Sequence, residues 1–181
     1  IVEKSGAIWV GSSGRVRDGN LKEPFAEIEA LGTGALAMLD LPAAHYGGYY
    51  EGFANSALWP ALHSRADLIR ASQEDYASYR EVNAFMARAL LRFQKPQSAF
   101  WIQDYHFLAL GAELRTLGVR QPIGFFLHTP WPTRVVIGGV PDGLAFDASG
   151  RLVFASDIAG GEVAVVDVEA APPRHRRLLD A

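Results

Sequence analysis

Two polar side chains stand where two apolar runs of the sequence end. Asp104 lies just beyond the run 99–102, and His128 directly follows the run 122–127. A helix-like stretch over about 107–117 separates the two runs, and a strand–helix–strand unit of this length makes a parallel pair. Ligands of such sheets bind beyond the carboxyl ends of the strands. We therefore expect Asp104 and His128 to lie together in a binding site.

Each of these side chains also has a structural interpretation, which the sequence alone leaves open. Asp104 is suited to cap a helix that begins near Tyr105, because a carboxylate accepts hydrogen bonds from free backbone N–H groups. A histidine after an apolar strand is commonly a hydrogen-bonded interior residue. We interpret His63 and His106 as structural.

The elements that would position this site form an alternating α/β pattern. Strands are predicted at 7–11, closed by a loop at 12–14, and at 36–41, followed by a loop over 42–50. A helix is predicted from Ser72, a suitable cap, to the Lys95-Pro96 stop. Its apolar positions recur at helical spacing and predict core residues: Tyr76, Tyr79, Val82, Met86, Leu90 and Phe93.

Composition narrows the classes of function. The 181 residues are 49% hydrophobic and 20% charged, which is typical of a globular chain with a core. A net charge of −3 argues against a nucleic-acid binder that neutralises phosphates. No apolar run is long enough to span a bilayer, no cysteine is present, and the five histidines show no metal-ligand spacing. We expect a cytoplasmic protein with no membrane partner, no cofactor and no metal.

The composition changes near the last quarter of the chain. All four Trp and six Tyr precede residue 132, whereas the whole net charge lies in 137–181. Because Gly and Pro mark the change, we predict a first domain over 1–134 and a junction at 135–141. Short strands with tight turns predict an antiparallel β-meander over 142–169, and 170–181 is predicted as a solvated tail. The sequence begins at Ile1 instead of Met, so we expect a piece of a longer protein.

Five strings in the first domain, taken together, resemble the trehalose-6-phosphate synthases, which are retaining glycosyltransferases of family 20. The strings are 9–14 (WVGSSG), 49–60 (YYEGFANSALWP), 79–83 (YREVN), 101–106 (WIQDYH) and 123–132 (IGFFLHTPWP). The resemblance covers about residues 4–134. It implies an α/β fold, namely the Rossmann-like, acceptor-binding half of a GT-B glycosyltransferase, here followed by the short antiparallel β-meander.

The resemblance implies transfer of glucose from UDP-glucose to glucose 6-phosphate, which gives trehalose 6-phosphate and UDP. It assigns Tyr50 and Asp104 to the acceptor sugar phosphate and Trp59 to the wall of the acceptor pocket. It places His128 against the transferred sugar, as the catalytic candidate, and Thr129 where the acceptor's anomer is selected. Taken alone, Tyr50 is equally a cover for the core, and Trp59 is more typical of a core or turn aromatic.

The sequence also departs from the family pattern. Ser12 replaces an aromatic residue, and Gln103 stands where the family usually has His. The family's first strand, its donor-phosphate loop and its second domain have no counterpart in the chain, so we expect no transferase activity from the chain by itself. Residues 141–157 resemble one blade of an NHL or lactonase-type β-propeller, and a natural fusion and an incomplete sequence both explain the junction.

Other functions stay open at this stage. One is a non-catalytic module that binds a sugar phosphate or acts as a propeller-type interaction piece. Another is a relative that makes glucosylglycerol phosphate, with glycerol 3-phosphate as acceptor. The oligomeric state stays open as well, a homo-oligomer included.

Overall fold

The structure is a computed structural model that describes residues 2–21 and 27–129 in full. Beyond residue 129 it describes the backbone of four strands, at 141–146, 152–156, 163–167 and 174–177. Among the helices of these described parts, none has the length and apolar character needed to cross a membrane.

A three-stranded sheet forms the first part of the fold, after a short helix α1 (Val2–Ser5). Strand β1 (Ile8–Arg17) runs parallel to β3 (Gly34–Pro42), and β2 (Glu27–Leu31) pairs antiparallel with the other edge of β3. The strand predicted at 36–41 is therefore confirmed. The loop predicted at 12–14 is wrong, because β1 continues through it with a register shift between Ser12 and Val16.

The predicted loop over 42–50 is also wrong, since the chain is helical from Ala43 to Leu62. It forms α2 (Ala43–Tyr46), a π-helix (Gly47–Leu58) and α3 (Trp59–Leu62) in succession. Of the two glycines that suggested a loop, Gly48 serves helix packing, and so does Gly52 further along the π-helix. A Cβ atom on Gly48 would lie 2.5 Å from Ser78 Oγ, and one on Gly52 would lie 2.5 Å from the Asp75 carboxyl carbon. Glycine at these positions lets the π-helix approach the next long helix closely.

That long helix is α4 (Gln73–Leu90), and it confirms the prediction from Ser72 onward. The Ser72 hydroxyl accepts a hydrogen bond of 3.0 Å from Asp75 N, which satisfies one of the free N–H groups of the first turn. A short 3-10 turn, Leu91–Phe93, ends the helix. Another 3-10 turn, Ala66–Leu68, lies before it. Three members of the predicted apolar face, Tyr79, Val82 and Met86, are buried in the core.

A second sheet contains the predicted parallel pair. Strand β4 (Phe100–Gln103) lies in register beside β5 (Ile123–Phe126), and a 3-10 turn (Tyr105–Phe107) and α5 (Leu110–Thr116) connect them. Gly118 follows α5 at a φ of 85°, which suits glycine after a helix end. The predicted burial of the second strand is wrong, because Phe125 and Phe126 are exposed.

The C-terminal part is a four-stranded antiparallel sheet in the order β6 (Pro141–Phe146), β7 (Leu152–Ser156), β8 (Val163–Asp167) and β9 (Arg174–Arg177). The first three strands confirm the predicted β-meander. The fourth corrects the predicted tail, since 174–177 pairs with β8. Its run of basic residues has no alternating apolar pattern, so sequence reasoning found no strand there. The domain boundaries stay a prediction, and the junction predicted at 135–141 lies, except for Pro141, outside the described residues.

Candidate functional site

Asp104 and His128 both line one cavity at the carboxyl ends of β4 and β5, as the sequence predicted. The cavity has a volume of about 420 Å³. Trp9 and Ser12 of β1 and Gln103 of β4 contribute to its wall. Gln103, Asp104 and His128 place the cavity at the carboxyl ends of β4 and β5, where ligands of parallel α/β sheets bind.

The backbone of Asp104 has an unusual conformation, with a φ of 70° and a ψ of 167°. This region is populated almost only by glycine, and a residue with a Cβ held there stores about 1–3 kcal/mol of strain. Asp104 N donates to Phe126 O over 2.7 Å, and Asp104 Oδ1 accepts from Tyr105 N over 2.9 Å. The cap interpretation is therefore correct for Oδ1. Because strain of this kind is concentrated at functional sites, Asp104 is a candidate ligand-binding residue as well as a cap.

Helix α4 holds the segment after Asp104 in place. The Tyr79 hydroxyl donates to Tyr105 O over 2.7 Å and accepts from Leu108 N over 3.0 Å. Asn83, which is fully buried, donates through Nδ2 to His106 O over 3.2 Å. Burial raises the pKa of Tyr79, so the hydroxyl stays neutral and keeps both bonds.

The helical spacing of the sequence predicts Tyr79 only as a core residue and gives no sign of this supporting role of Tyr79 and Asn83. The signal that could have found it was the string 79–83, which resembles the family although it lies far along the chain from Asp104.

Tyr50 lies beside a second cavity of about 340 Å³, which shares Ser12 and Phe107 with the first. Its ring stacks on Tyr46 at a centroid distance of 5.1 Å and on His106 at 5.4 Å. Tyr50 is 37% exposed, so its hydroxyl-bearing ring is accessible at the surface. The structure therefore brings Tyr50 next to the Asp104 cavity without placing it in the same wall.

His106 connects the two tyrosines of this region. Its ring stacks on Tyr105 at 4.1 Å as well as on Tyr50, and its buried Nε2 atom has no hydrogen-bond partner among the residues that the structure describes. Burial lowers the pKa of His106, and the nearby Asp104 carboxylate opposes this by a smaller amount. Burial also raises the pKa of Tyr105 to about 12. A neutral histidine thus fills the space between two aromatic rings, in agreement with a structural role.

His128 is exposed, so the interior interpretation is wrong for this residue. Its Nε2 atom lies 2.9 Å from Gln103 Oε1, and the Phe126 ring meets the imidazole edge-on at a centroid distance of 4.8 Å. The next residue, Thr129, has a buried hydroxyl for which the described part of the chain offers no hydrogen-bond partner. In the sequence Gln103 is only a departure from the family pattern, and nothing there predicts its contact with His128.

Trp59 stands apart from the two cavities described above. It is 45% exposed, and its ring packs on His63 at 3.7 Å and lies 5.8 Å from the Tyr105 ring. The core interpretation of Trp59 is therefore wrong, and its exposed face is available to a ligand next to Tyr105. In the described residues, no cluster of three or more His, Asp or Glu side chains could hold a metal ion.

Comparison of the sequence with known proteins identifies the family to which this geometry belongs. The family model of glycosyltransferase family 20 matches residues 1–141. A trehalose-6-phosphate synthase of Sinorhizobium fredii is 40% identical over 139 residues, which are 77% of this chain and 30% of that protein. One of Klebsiella pneumoniae is 38% identical over 137 residues, or 76% of this chain and 28% of that protein. The chain thus spans about 30% of the length of these curated relatives.

Solved structures give the same result for the fold. An α,α-trehalose-phosphate synthase (UDP-forming) of Burkholderia vietnamiensis superposes with a TM-score of 0.71 at 38% identity, over 77% of this chain and 30% of that chain. An enzyme of the same description from Burkholderia xenovorans, solved in complex with glucose-6-phosphate, gives a TM-score of 0.70 at 36% identity, over the same shares. The α/β fold of a GT-B glycosyltransferase half is confirmed.

The match to the family ends at residue 141, so it gives no support to the propeller-blade resemblance of 141–157, which stays a prediction. Up to that residue, the family model and relatives of 38–40% identity agree. The chain belongs to glycosyltransferase family 20.

Proposed function

We propose that this chain is the acceptor-binding part of a trehalose-6-phosphate synthase, which transfers glucose from UDP-glucose to glucose 6-phosphate. One observation carries the proposal: the strained Asp104 and the exposed His128 meet in a cavity at two parallel strand ends of a family 20 chain. The Burkholderia xenovorans relative in complex with glucose-6-phosphate supports this acceptor. A relative from E. coli bound to UDP-2-fluoro glucose supports the donor.

The geometry is suitable for a sugar phosphate. A cavity of about 420 Å³ lies within the range of about 300–1,000 Å³ typical of small-molecule sites. The Asp104 carboxylate accepts hydrogen bonds from sugar hydroxyls, and charge-assisted bonds of this kind are among the stronger ones. In this proposal Tyr50 donates its hydroxyl to a phosphate oxygen, and the exposed face of Trp59 packs on the apolar face of the sugar ring.

His128 completes the proposed site on the side of the transferred sugar, and Thr129 completes it where the acceptor's anomer is selected. His128 follows the end of β5 and lines the same cavity as Asp104, so one ligand can contact both. The buried Thr129 hydroxyl, which lacks a partner within the described residues, is suited to a ligand hydroxyl. The resemblance implies these roles, and substitutions at the two positions can test them.

We propose that the chain by itself binds the acceptor without transferring glucose, since it spans only about 30% of the length of its relatives. A coupled assay for UDP release with UDP-glucose and glucose 6-phosphate tests this point. Turnover above background would overturn the proposal of binding without transfer. The cytoplasmic location stays a prediction.

Isothermal titration calorimetry of the full chain with glucose 6-phosphate tests acceptor binding. We expect binding by the unmutated chain and its loss in Asp104→Asn, because the amide lacks the charge while it keeps the size of the carboxylate and its ability to cap a helix. Asp67→Asn is the matched control, since Asp67 lies outside both cavities and pairs with Arg65. No binding by the unmutated chain, or equal binding by Asp104→Asn, would refute the proposal. A parallel titration with glycerol 3-phosphate distinguishes the glucosylglycerol-phosphate alternative.

A further inference from the structure

We propose that Gln103 is a positioning residue that holds the neutral His128 ring in the tautomer protonated on Nε2. The contact between His128 Nε2 and Gln103 Oε1 measures 2.9 Å, an ordinary hydrogen-bond length. An amide oxygen is only an acceptor, so the proton of this bond belongs to His128 Nε2. In a neutral imidazole the other nitrogen, Nδ1, then carries a lone pair.

The sheet register places the two side chains together. Gln103 is the last residue of β4 and stands opposite Phe126, the last residue of β5, in the parallel pair. His128 comes two residues after Phe126, and the Phe126 ring packs edge-on against it at 4.8 Å. The imidazole is therefore held by a hydrogen bond on one side and an aromatic contact on another. Both Gln103 and His128 line the 420 Å³ cavity.

The tautomer decides which ligand groups His128 recognises. With Nε2–H engaged by Gln103, the free ring nitrogen accepts a hydrogen bond and does not donate one. A sugar hydroxyl is able to donate to it, whereas an anionic phosphate oxygen has no proton to offer. Gln103 thus makes His128 selective for the hydroxyl side of a sugar phosphate. This consequence rests on the proposed function, while the tautomer itself does not.

Nitrogen-15 NMR of the histidine rings in the full chain, without ligand and at a pH where the rings are neutral, tests the proposal. The His128 signals are assigned as those lost in His128→Asn. We expect a protonated-type signal for Nε2 and an unprotonated-type signal for Nδ1. Gln103→Leu should shift the tautomer ratio about tenfold, which corresponds to the loss of about 1.4 kcal/mol. Gln103→Glu should restore the single tautomer, because a carboxylate oxygen again accepts from Nε2.

Gln97→Leu is the matched control, since Gln97 is exposed and lies outside the cavity. It should leave the His128 signals unchanged. A proton on Nδ1 in the unmutated chain would show the Gln103 amide donating and would overturn the proposal, as would an unchanged tautomer ratio in Gln103→Leu. Calorimetry with glucose 6-phosphate on the same samples separates the two ideas: a chain with the Nε2–H tautomer that binds no sugar phosphate refutes the proposed function alone.

Discussion

Large aromatic side chains behave in opposite ways in two regions of this molecule. One is the helical layer, defined as Phe53 of the π-helix and Tyr79 and Phe85 of helix α4, which are at most 1% exposed. The other is the strand rim, defined as Trp9, Trp101 and Phe126, which are 56%, 70% and 48% exposed. Residues of similar size and hydrophobicity are therefore enclosed in one region and open to ligands in the other.

The difference separates support from recognition. Apolar area removed from water stabilises the fold by about 25 cal/mol per Å², so the helical layer supplies stability. Trp9 and Trp101 of the strand rim line the cavity that holds Asp104 and His128. The two regions are connected by hydrogen bonds from Tyr79 and Asn83 to the segment after Asp104. Helix α4 thus supports the segment that follows Asp104.

The largest effect should come from a matched pair of truncations, one in each region. Phe53→Ala empties a fully buried position and should lower the free energy of unfolding by about 3–5 kcal/mol. Trp101→Ala removes an exposed ring and should change it by less than about 0.5 kcal/mol. Urea denaturation followed by circular dichroism measures both. Similar losses in the two variants would show that the strand rim is structural and would end the distinction between the regions.

The backbone of Asp104 gives a smaller effect, and it tests whether the site stores strain. Asp104→Gly and Asp104→Ala both remove the carboxylate and its cap to Tyr105 N. Glycine alone accepts a φ of 70° with a ψ of 167° without strain, so Asp104→Gly should be more stable than Asp104→Ala by about 1–2 kcal/mol.

The same denaturation experiment measures this difference. Gly118 gives the control, because it also has a positive φ, of 85°, but follows a helix and does not line the cavity. Gly118→Ala should destabilise the chain without changing sugar-phosphate binding. If the glycine variant at position 104 were the less stable one, the strained conformation would not exist in solution.

The strand ends could be predicted from the sequence because local signals determine them. Two apolar runs and a helix between them predict a parallel pair, and Asp104 and His128 follow from their positions alone. The helix at 43–62 could not be predicted in this way. Gly48 packs against Ser78, 30 residues away, and Gly52 packs against Asp75, 23 residues away. Both resemble turn residues until helix α4 is known to lie beside them.

The candidate site was predictable only in part for the same reason. The contact between Gln103 and His128 and the stacking of His106 on Tyr50 join residues of different elements, at 25 and 56 positions apart. Tertiary packing selects such pairs, and no pattern along the chain marks them. The resemblance named Tyr50 and Trp59, but only the fold shows that both are exposed and that neither lines the cavity of Asp104 and His128.

The smallest effect concerns pH and the boundary between the two regions, where His106 lies between Tyr50 and Tyr105. Burial holds the pKa of His106 below its ordinary value of 6.5. As the pH falls below 6.5, the unfolded chain takes up this proton before the folded chain does, so acid favours unfolding. The stability that His106 contributes is therefore complete above pH 6.5 and is lost as the pH falls through the lowered pKa. Denaturation at stepped pH should show this loss, and His106→Gln should reduce it because glutamine does not titrate.

His45→Gln, which changes a histidine paired with Glu81 away from this stack, should keep the pH dependence. If the free energy of unfolding had the same slope against pH in His106→Gln and in the unmutated chain, the His106 ring would not be buried. The enclosed aromatic packing of the helical layer would then not extend to the residues beside Asp104.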